Sequence, residues 1–159
     1  MTAKCYYMLS PIHSLDQKDT NTAIEKLQIF INNYPNSTYV QEANNLISEL
    51  QEKLEKKEFE ISKQYYTIRD YKAAIRSVDN FIGEFAGTKY REEAMYYKFL
   101  SSYEIAVNSI QSKKIERLKD LKQLHSSIIK YYPETIFLEQ LSSIMLIVEK
   151  EINTFAQIN

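Results

Sequence analysis

The sequence predicts an all-α chain built as a solenoid of stacked helical hairpins, and three observations carry that prediction. The first is a shortage of breakers: 159 residues contain only 2 Gly and 3 Pro, which suits long helices joined by short connections. The second is a segment that occurs three times. Phe30-Ile31-Asn32-Asn33-Tyr34-Pro35-Asn36-Ser37-Thr38-Tyr39 returns as Phe81-Ile82-Gly83-Glu84-Phe85-Ala86-Gly87-Thr88-Lys89-Tyr90. It returns again, blurred, as Ile128-Ile129-Lys130-Tyr131-Tyr132-Pro133-Glu134-Thr135-Ile136-Phe137. Each copy reads as a helix ending on two apolar residues and an aromatic, then a Pro or Gly that breaks it, then a small polar residue that caps the next helix. The third is the stepping of apolar residues by three and four between the copies, the period of a helix with one buried face. A repeated helix-break-helix unit offers surfaces to partners rather than an enclosed cleft.

Each element follows in order. Residues 2–9 read as the tail of a helix stopped by Ser10-Pro11, and residues 12–19 as a connection. Together, residues 1–19 read as the remnant of a preceding repeat. Asp19, Thr20 or Asn21 is placed to cap a helix whose stripe is Ala23, Ile24, Leu27, Phe30, Ile31 and Tyr34. Thr38 and Gln41 form a candidate capping box for the next. From Ser37 to Ile82 there is neither Gly nor Pro. Val40, Ala43, Ile47, Leu50, Leu54, Ile61, Tyr65 and Ile68 keep one phase, which predicts a single lengthened helix over 37–68, about 48 Å long. Asp70 then caps a helix with Ala73, Ala74, Ile75, Val78, Phe81, Ile82 and Phe85 inward. The following helix carries Tyr90, Ala94, Tyr97, Leu100, Ser101, Ile105 and Ala106. Residues 111–114 read as a connection, residues 115–132 as a helix packed through Leu118, Leu121, Leu124, Ile128 and Ile129. A last helix over 135–155 packs through Leu138, Leu141, Ile144, Met145, Val148 and Ile152.

The breaks at Pro35, Ala86 and Pro133 lie 51 and 47 positions apart, against a period of about 34 for a plain tetratricopeptide repeat. The units are therefore tetratricopeptide-like with one helix lengthened. A right-handed solenoid of such hairpins, a single domain over 1–159, is the expected architecture.

Bulk properties narrow the function. The net charge of −1 provides no global field for nucleic acid or an acidic membrane surface. No apolar run approaches the roughly 20 residues of a membrane span. Cys5 is the only cysteine, so no intrachain disulfide can form, and Met1-Thr2-Ala3-Lys4 does not resemble the apolar segment that precedes a lipidated cysteine. The 13 tyrosines suit half-buried repeat surfaces and interfaces.

Leu54-Glu55-Lys56-Lys57-Glu58-Phe59-Glu60-Ile61-Ser62-Lys63-Gln64-Tyr65-Tyr66, followed by Asp70-Tyr71-Lys72-Ala73-Ala74-Ile75, resembles the BamD (YfiO) family. These are tetratricopeptide lipoproteins of the outer-membrane β-barrel assembly (BAM) machinery. The stretch from Ala23 through Tyr39, with Tyr34-Pro35-Asn36-Ser37, is similar to it as well. The resemblance covers roughly residues 20–110 and corresponds to the family's C-terminal repeats. It implies a scaffold at the periplasmic face of the outer membrane. The scaffold would recruit the POTRA domains of a BamA-like barrel insertase and serve the assembly of unfolded outer-membrane proteins, whose recognition belongs mainly to the family's N-terminal repeats. It places 52–57 in the zone of the insertase contact. The family often has Arg where Lys53 stands, and Lys offers a point charge in place of a bidentate fork. Ala86-Gly87 departs from the usual Pro-Asp or Pro-Asn, and 111–159 matches the family weakly. Another periplasmic tetratricopeptide adaptor, such as a cell-division coordinator, is the alternative.

No catalytic or metal-binding pattern is present in the sequence, and no cofactor is implied: His13 and His125 are the only histidines, and no HExxH, CxxC or glycine-rich phosphate loop occurs. His125 sits among Leu121, Leu124 and Ile128 as a core-edge side chain, and the glycines read as helix-end turns. The candidate partner-binding residues are Lys53, Lys56 and Lys57, which alternate with Glu52, Glu55 and Glu58, and the pairs Tyr65-Tyr66 and Tyr96-Tyr97. The bland reading of the lysines is a solvated helix face, and of the tyrosines a place in the core. Lys113, Lys114, Arg117 and Lys119 make a second basic cluster, at a helix start or loop tip.

Overall fold

A computed structural model describes residues 2–158 of the chain, with side chains from residue 4 to residue 155. Among these residues there are seven helices and no strand: α1 Thr2–Leu9, α2 Lys18–Asn33, α3 Val40–Thr67, α4 Tyr71–Glu84, α5 Arg91–Val107, α6 Gln111–Tyr131 and α7 Leu138–Ile158. The fold is all-helical and of the tetratricopeptide-like repeat type. After α2 the connections alternate in length, six residues at 34–39, 85–90 and 132–137, three at 68–70 and 108–110.

The six-residue joints are the three sequence copies, and they share one hydrogen-bond frame. The aromatic that ends each helix donates its N–H four residues back: Tyr34 to Phe30 O at 3.0 Å, Phe85 to Phe81 O at 2.9 Å, Tyr132 to Ile128 O at 2.8 Å. Three residues on, Ser37, Thr88 and Thr135 donate their N–H to the carbonyls of those same aromatics at 3.0, 3.1 and 3.2 Å. Their hydroxyls accept from the N–H two residues later, from Tyr39 at 3.3 Å, Tyr90 at 3.2 Å and Phe137 at 3.2 Å. This side-chain turn, which Ser and Thr form readily, sets the start of the next helix. The blurred third copy is therefore a full structural copy, and Ala86 takes the place of Pro without loss of the frame.

The turn also moves helix starts. α3 begins at Val40 rather than at 37, and α7 at Leu138 rather than at 135, because the residues between complete the turn. The expected Thr38–Gln41 capping box is absent; Gln41 donates instead to Asn45 Oδ1 at 3.1 Å. α2 starts at Lys18, so Thr20 lies inside it, fully buried, with its hydroxyl donated to Gln17 Oε1 at 2.7 Å. Residues 111–114, expected as a connection, form the first turn of α6. There Lys114 pairs with Glu151 of α7, which offsets the unfavourable meeting of a cation with a helix N-terminus.

The α3–α4 corner is a Schellman motif. Asp70 N–H reaches Tyr65 O at 3.0 Å, Arg69 N–H reaches Tyr66 O at 2.9 Å, and Arg69 sits at φ 64. Asp70 then caps α4 through Ala73 N–H at 3.1 Å, as its sequence position suggests. The glycines do no such work: Gly83 lies within α4, and neither Gly83 nor Gly87 has a positive φ or would crowd a Cβ.

The chain divides into two compact units, Met1–Glu60 and Ile61–Asn159. In the first, Ala23 and Leu27 of α2 bury against Ala43, Ile47 and Leu50 of α3, with Tyr6, Tyr7, Ile24, Phe30 and Ile31 at the margin. Tyr34, expected in this stripe, is 61% exposed, with its ring centroid 5.6 Å from that of Phe30. In the second, α4 packs on α5, α5 on α6 and α6 on α7. Ala74, Val78 and Phe81 of α4 are buried. Phe99, Ala106, Leu118, Leu121, Ile128, Leu141, Met145 and Val148 form one core cluster. Leu138 is exposed rather than inward, and Phe99, outside the expected α5 stripe, is fully buried. α5 has a neighbour on either side, so nearly all its positions are at least half-buried and its sequence carries little periodicity.

α3 is the single long helix expected, 28 residues, about 42 Å at 1.5 Å per residue. Its buried face turns along its length. Leu50 is buried, and so is Phe59 nine residues later, half a turn around the axis at about 100° per residue. Ser62 follows, buried and bonded to Ser77 Oγ at 2.8 Å. Ile61 and Tyr65, expected on the inward stripe, are half-buried, and Ile68 is 62% exposed.

Candidate functional site

The basic stretch of α3 reaches back to the loop between α1 and α2. Lys53 Nζ donates to Ser10 Oγ at 2.7 Å and to Ser10 O at 3.4 Å. Lys57 Nζ donates to Leu15 O at 2.7 Å. Buried Gln17 closes the loop from within: its Nε2 donates to Ile12 O at 2.8 Å and Leu15 O at 2.9 Å. Thr20 Oγ1 is 2.7 Å from Ser10 Oγ, so Ser10, Gln17, Thr20 and Lys53 form one polar network. Lys56 has no hydrogen-bond or ion-pair partner among the described residues. With Ile12, His13, Glu49, Glu52 and Lys53 it lines an open cleft of about 260 Å³. Beside the cleft, Tyr7 donates its hydroxyl to Glu49 Oε2 at 2.5 Å, and that bond, with burial second, holds the phenol above its usual pKa.

A second surface is aromatic and lies within the Ile61–Asn159 unit. Tyr71 stands 5.8 Å from Tyr66, Tyr66 stands 5.4 Å from Tyr97, and Tyr97 meets Tyr96 edge-on at 5.7 Å. Tyr96 then stacks on Phe137 with ring centroids 4.1 Å apart and planes 8° from parallel. All five rings are half-buried, an arrangement that offset and edge-to-face contacts favour. Burial raises the pKa of Tyr66 and of Tyr96, Glu104 adding to it at Tyr66. Lys63 lies 5.4 Å over the Tyr97 ring and 3.3 Å from Glu93 Oε1.

Of the seven residues singled out from sequence, Tyr66, Tyr96 and Tyr97 thus come together in one row. Tyr65 is half-buried beside it and joins no ring pair among the described residues. Lys53 and Lys57 join one loop, and Lys56 lines the cleft. Of the second basic cluster, Arg117 donates to Ser109 Oγ and Lys114 pairs with Glu151. His125 is half-buried, 6.0 Å from the Phe99 ring, with its pKa lowered by burial against an opposing pull from Glu149. Among the described residues, no group of three or more His, Cys, Asp or Glu is placed to hold a metal ion, and no helix is long and apolar enough to cross a membrane. Cys5 is exposed.

A family model described as YfiO, outer membrane lipoprotein, matches residues 5–75 and again residues 63–155. The chain belongs to the YfiO (BamD) family. That membership relates it to outer-membrane lipoproteins of β-barrel assembly, and the match extends through residues 111–155, where sequence resemblance alone was weak. A comparison with curated proteins gave no match. Two members of this YfiO-family chain's aromatic row escaped the sequence reading. Phe137 occupies the joint position of Tyr39 and Tyr90, so the repeat alignment contained its signal. Tyr71 follows the αL corner and reaches Tyr66 only because the chain reverses there.

Proposed function

We propose that this chain is a non-catalytic scaffold of the outer-membrane β-barrel assembly machinery. Residues 1–159 act as one tetratricopeptide-like repeat domain at the periplasmic face of the outer membrane. It docks on the POTRA domains of a BamA-like barrel insertase and so supports insertion of outer-membrane proteins. The observation that carries this reading is the pair of overlapping family matches, which together run from residue 5 to residue 155. The lysine-bearing stretch of α3 with its cleft is the proposed contact, and the half-buried aromatic row of Tyr66, Tyr96 and Tyr97 a second binding face, with Tyr65 at its margin. Aromatic residues enrich interface cores, and an interface of about 800 Å² per partner fits on one edge of a helix pair.

A calorimetric titration of the chain against the POTRA domains of the same organism's insertase tests this. Saturable binding, weakened about tenfold by Lys56→Glu, is the expected result. Lys56 is the informative position because reversing Lys53 or Lys57 would also break the loop contacts. Absence of saturable binding would overturn the reading.

A further inference from the structure

The side of α7 turned away from the core carries a pattern that complements itself. α7 buries Leu141, Met145 and Val148 in the core cluster. At about 100° per residue, Glu139, Ser143, Leu146 and Lys150 form a stripe on the opposite side. All four are exposed, as are Ser142 and Ile147 beside them. Leu146 is 71% exposed and Ile147 54%, although they lie between buried Met145 and Val148 in the chain. The charges of the helix divide the same way. Glu149 pairs with Lys122 and Glu151 with Lys114, both on α6. Glu139 and Lys150, of opposite sign, have no ion-pair partner among the described residues.

The pairs Glu139/Lys150, Ser142/Ile147 and Ser143/Leu146 share one midpoint, between Ile144 and Met145. Each pair joins unlike members, an anion with a cation or a small side chain with a large one. A two-fold axis through that midpoint lays a second α7 antiparallel on the first and sets every member against its complement. The ion pairs then close the two ends, about 16 Å apart along the helix, and the serines leave room for Leu146 and Ile147 of the other copy. A parallel pair in register would instead set Glu139 on Glu139 and Leu146 on Leu146. We propose that the chain forms an isologous dimer through this face of α7. The occupant is a second copy because complementarity about a helix's own midpoint is what self-pairing requires and what a different partner does not impose. One helix face falls short of the roughly 800 Å² per partner of a standard interface, so the association is weak and reversible. It is independent of the docking reading, since it uses no residue of α3.

Sedimentation equilibrium on the whole chain, loaded up to about 1 mM, reads the association directly. The expected result is a monomer–dimer equilibrium that stops at two copies. Glu139→Lys and Lys150→Glu should each weaken it about tenfold or more, because each sets like charges against one another at both ends. An equimolar mixture of those two variants should regain wild-type affinity within about threefold, since every charge pair across the mixed dimer is again of opposite sign. The mixture also controls for folding, as it contains no protein absent from the separate measurements. Leu146→Ser should weaken association about tenfold or more and leave the melting curve of the dilute protein unchanged. A chain that stays monomeric over the whole range, or that grows past two copies, would overturn the proposal. Undiminished dimer in either charge variant, or a mixture no tighter than its components, would remove the antiparallel pairing. Full affinity in Leu146→Ser would take this face of α7 out of the interface.

Discussion

Met1–Glu60 holds one core cluster of five buried apolar residues, two of them alanines, and adds a network of Ser10, Gln17, Thr20, Lys53 and Lys57 that ties a loop to a helix. Ile61–Asn159 buries eight in one cluster that includes Phe99, Leu118, Leu121, Ile128 and Leu141, and its ion pairs Lys98–Asp79 and Lys122–Glu149 lie at the rim. The first unit fixes a conformation with directional bonds. The second gains stability from area removed from water, which is indifferent to direction. Surfaces meant for recognition need the former, since a hydrogen bond specifies where a backbone goes and an apolar contact does not.

The contrast yields graded expectations. The largest effect belongs to the apolar unit: Phe99→Ala should cost about 3–5 kcal/mol, seen as an early transition in denaturant unfolding followed by a probe in α5 or α6. Loss of less than about 1 kcal/mol would mean that the cluster collapses around the gap. Next comes Gln17→Ala, about 1–3 kcal/mol for the three hydrogen bonds of its buried amide, to Ile12 O and Leu15 O and from Thr20 Oγ1. That loss should appear in hydrogen exchange as local opening of 10–20 with α6 and α7 untouched, and uniform loosening would erase the distinction between the units. Arg69→Gly should raise stability by about 0.5–1 kcal/mol, because a side chain at φ 64 is relieved. A fall in melting temperature would show that the Arg69 side chain contributes more than its backbone costs.

The smallest effect is carried by one half-buried imidazole. Burial lowers the pKa of His125 below the 6.5 of a free histidine, so the unfolded chain binds the proton first. This contribution to stability is complete above about pH 6.5 and is lost as pH falls toward the folded pKa. Its Nε2 is buried without a hydrogen-bond partner among the described residues, and His125→Phe should flatten that share of the acid limb in melting curves taken from about pH 7.5 to 5. An unaltered limb would assign the acid sensitivity elsewhere.

Much of the fold was legible because the joints repeat. Pro35, Gly87 and Pro133 announce where helices stop, and the helices expected over 2–9, 37–68, 115–132 and 135–155 fall within four residues of those limits at each end. The starts were harder to read. Ser37 and Thr135 look like helix caps in sequence, yet they build a turn that postpones the helix by three residues. Thr20 looks like a cap and is a core hydroxyl. The half-turn between Leu50 and Phe59 was hidden because Ile61 and Tyr65 happen to continue the earlier phase. At the candidate site, adjacent tyrosines were visible as pairs. The reach of Lys53 and Lys57 was not, since their partners lie 43 and 42 positions upstream, and local sequence cannot distinguish a lysine that clamps from one that is solvated.

The three joints keep one geometry while the helices they close have 16, 14 and 21 residues. A corner whose bonds are all made within about ten residues is modular: it does not register how long the rod before it is. Helices in such a chain can grow or shrink by whole turns, carrying their side chains to new positions, while each reversal stays as it was. Duplication followed by stepwise lengthening is therefore an open route for this architecture, and variation in partner specificity can accumulate in the rods without redesign of the corners.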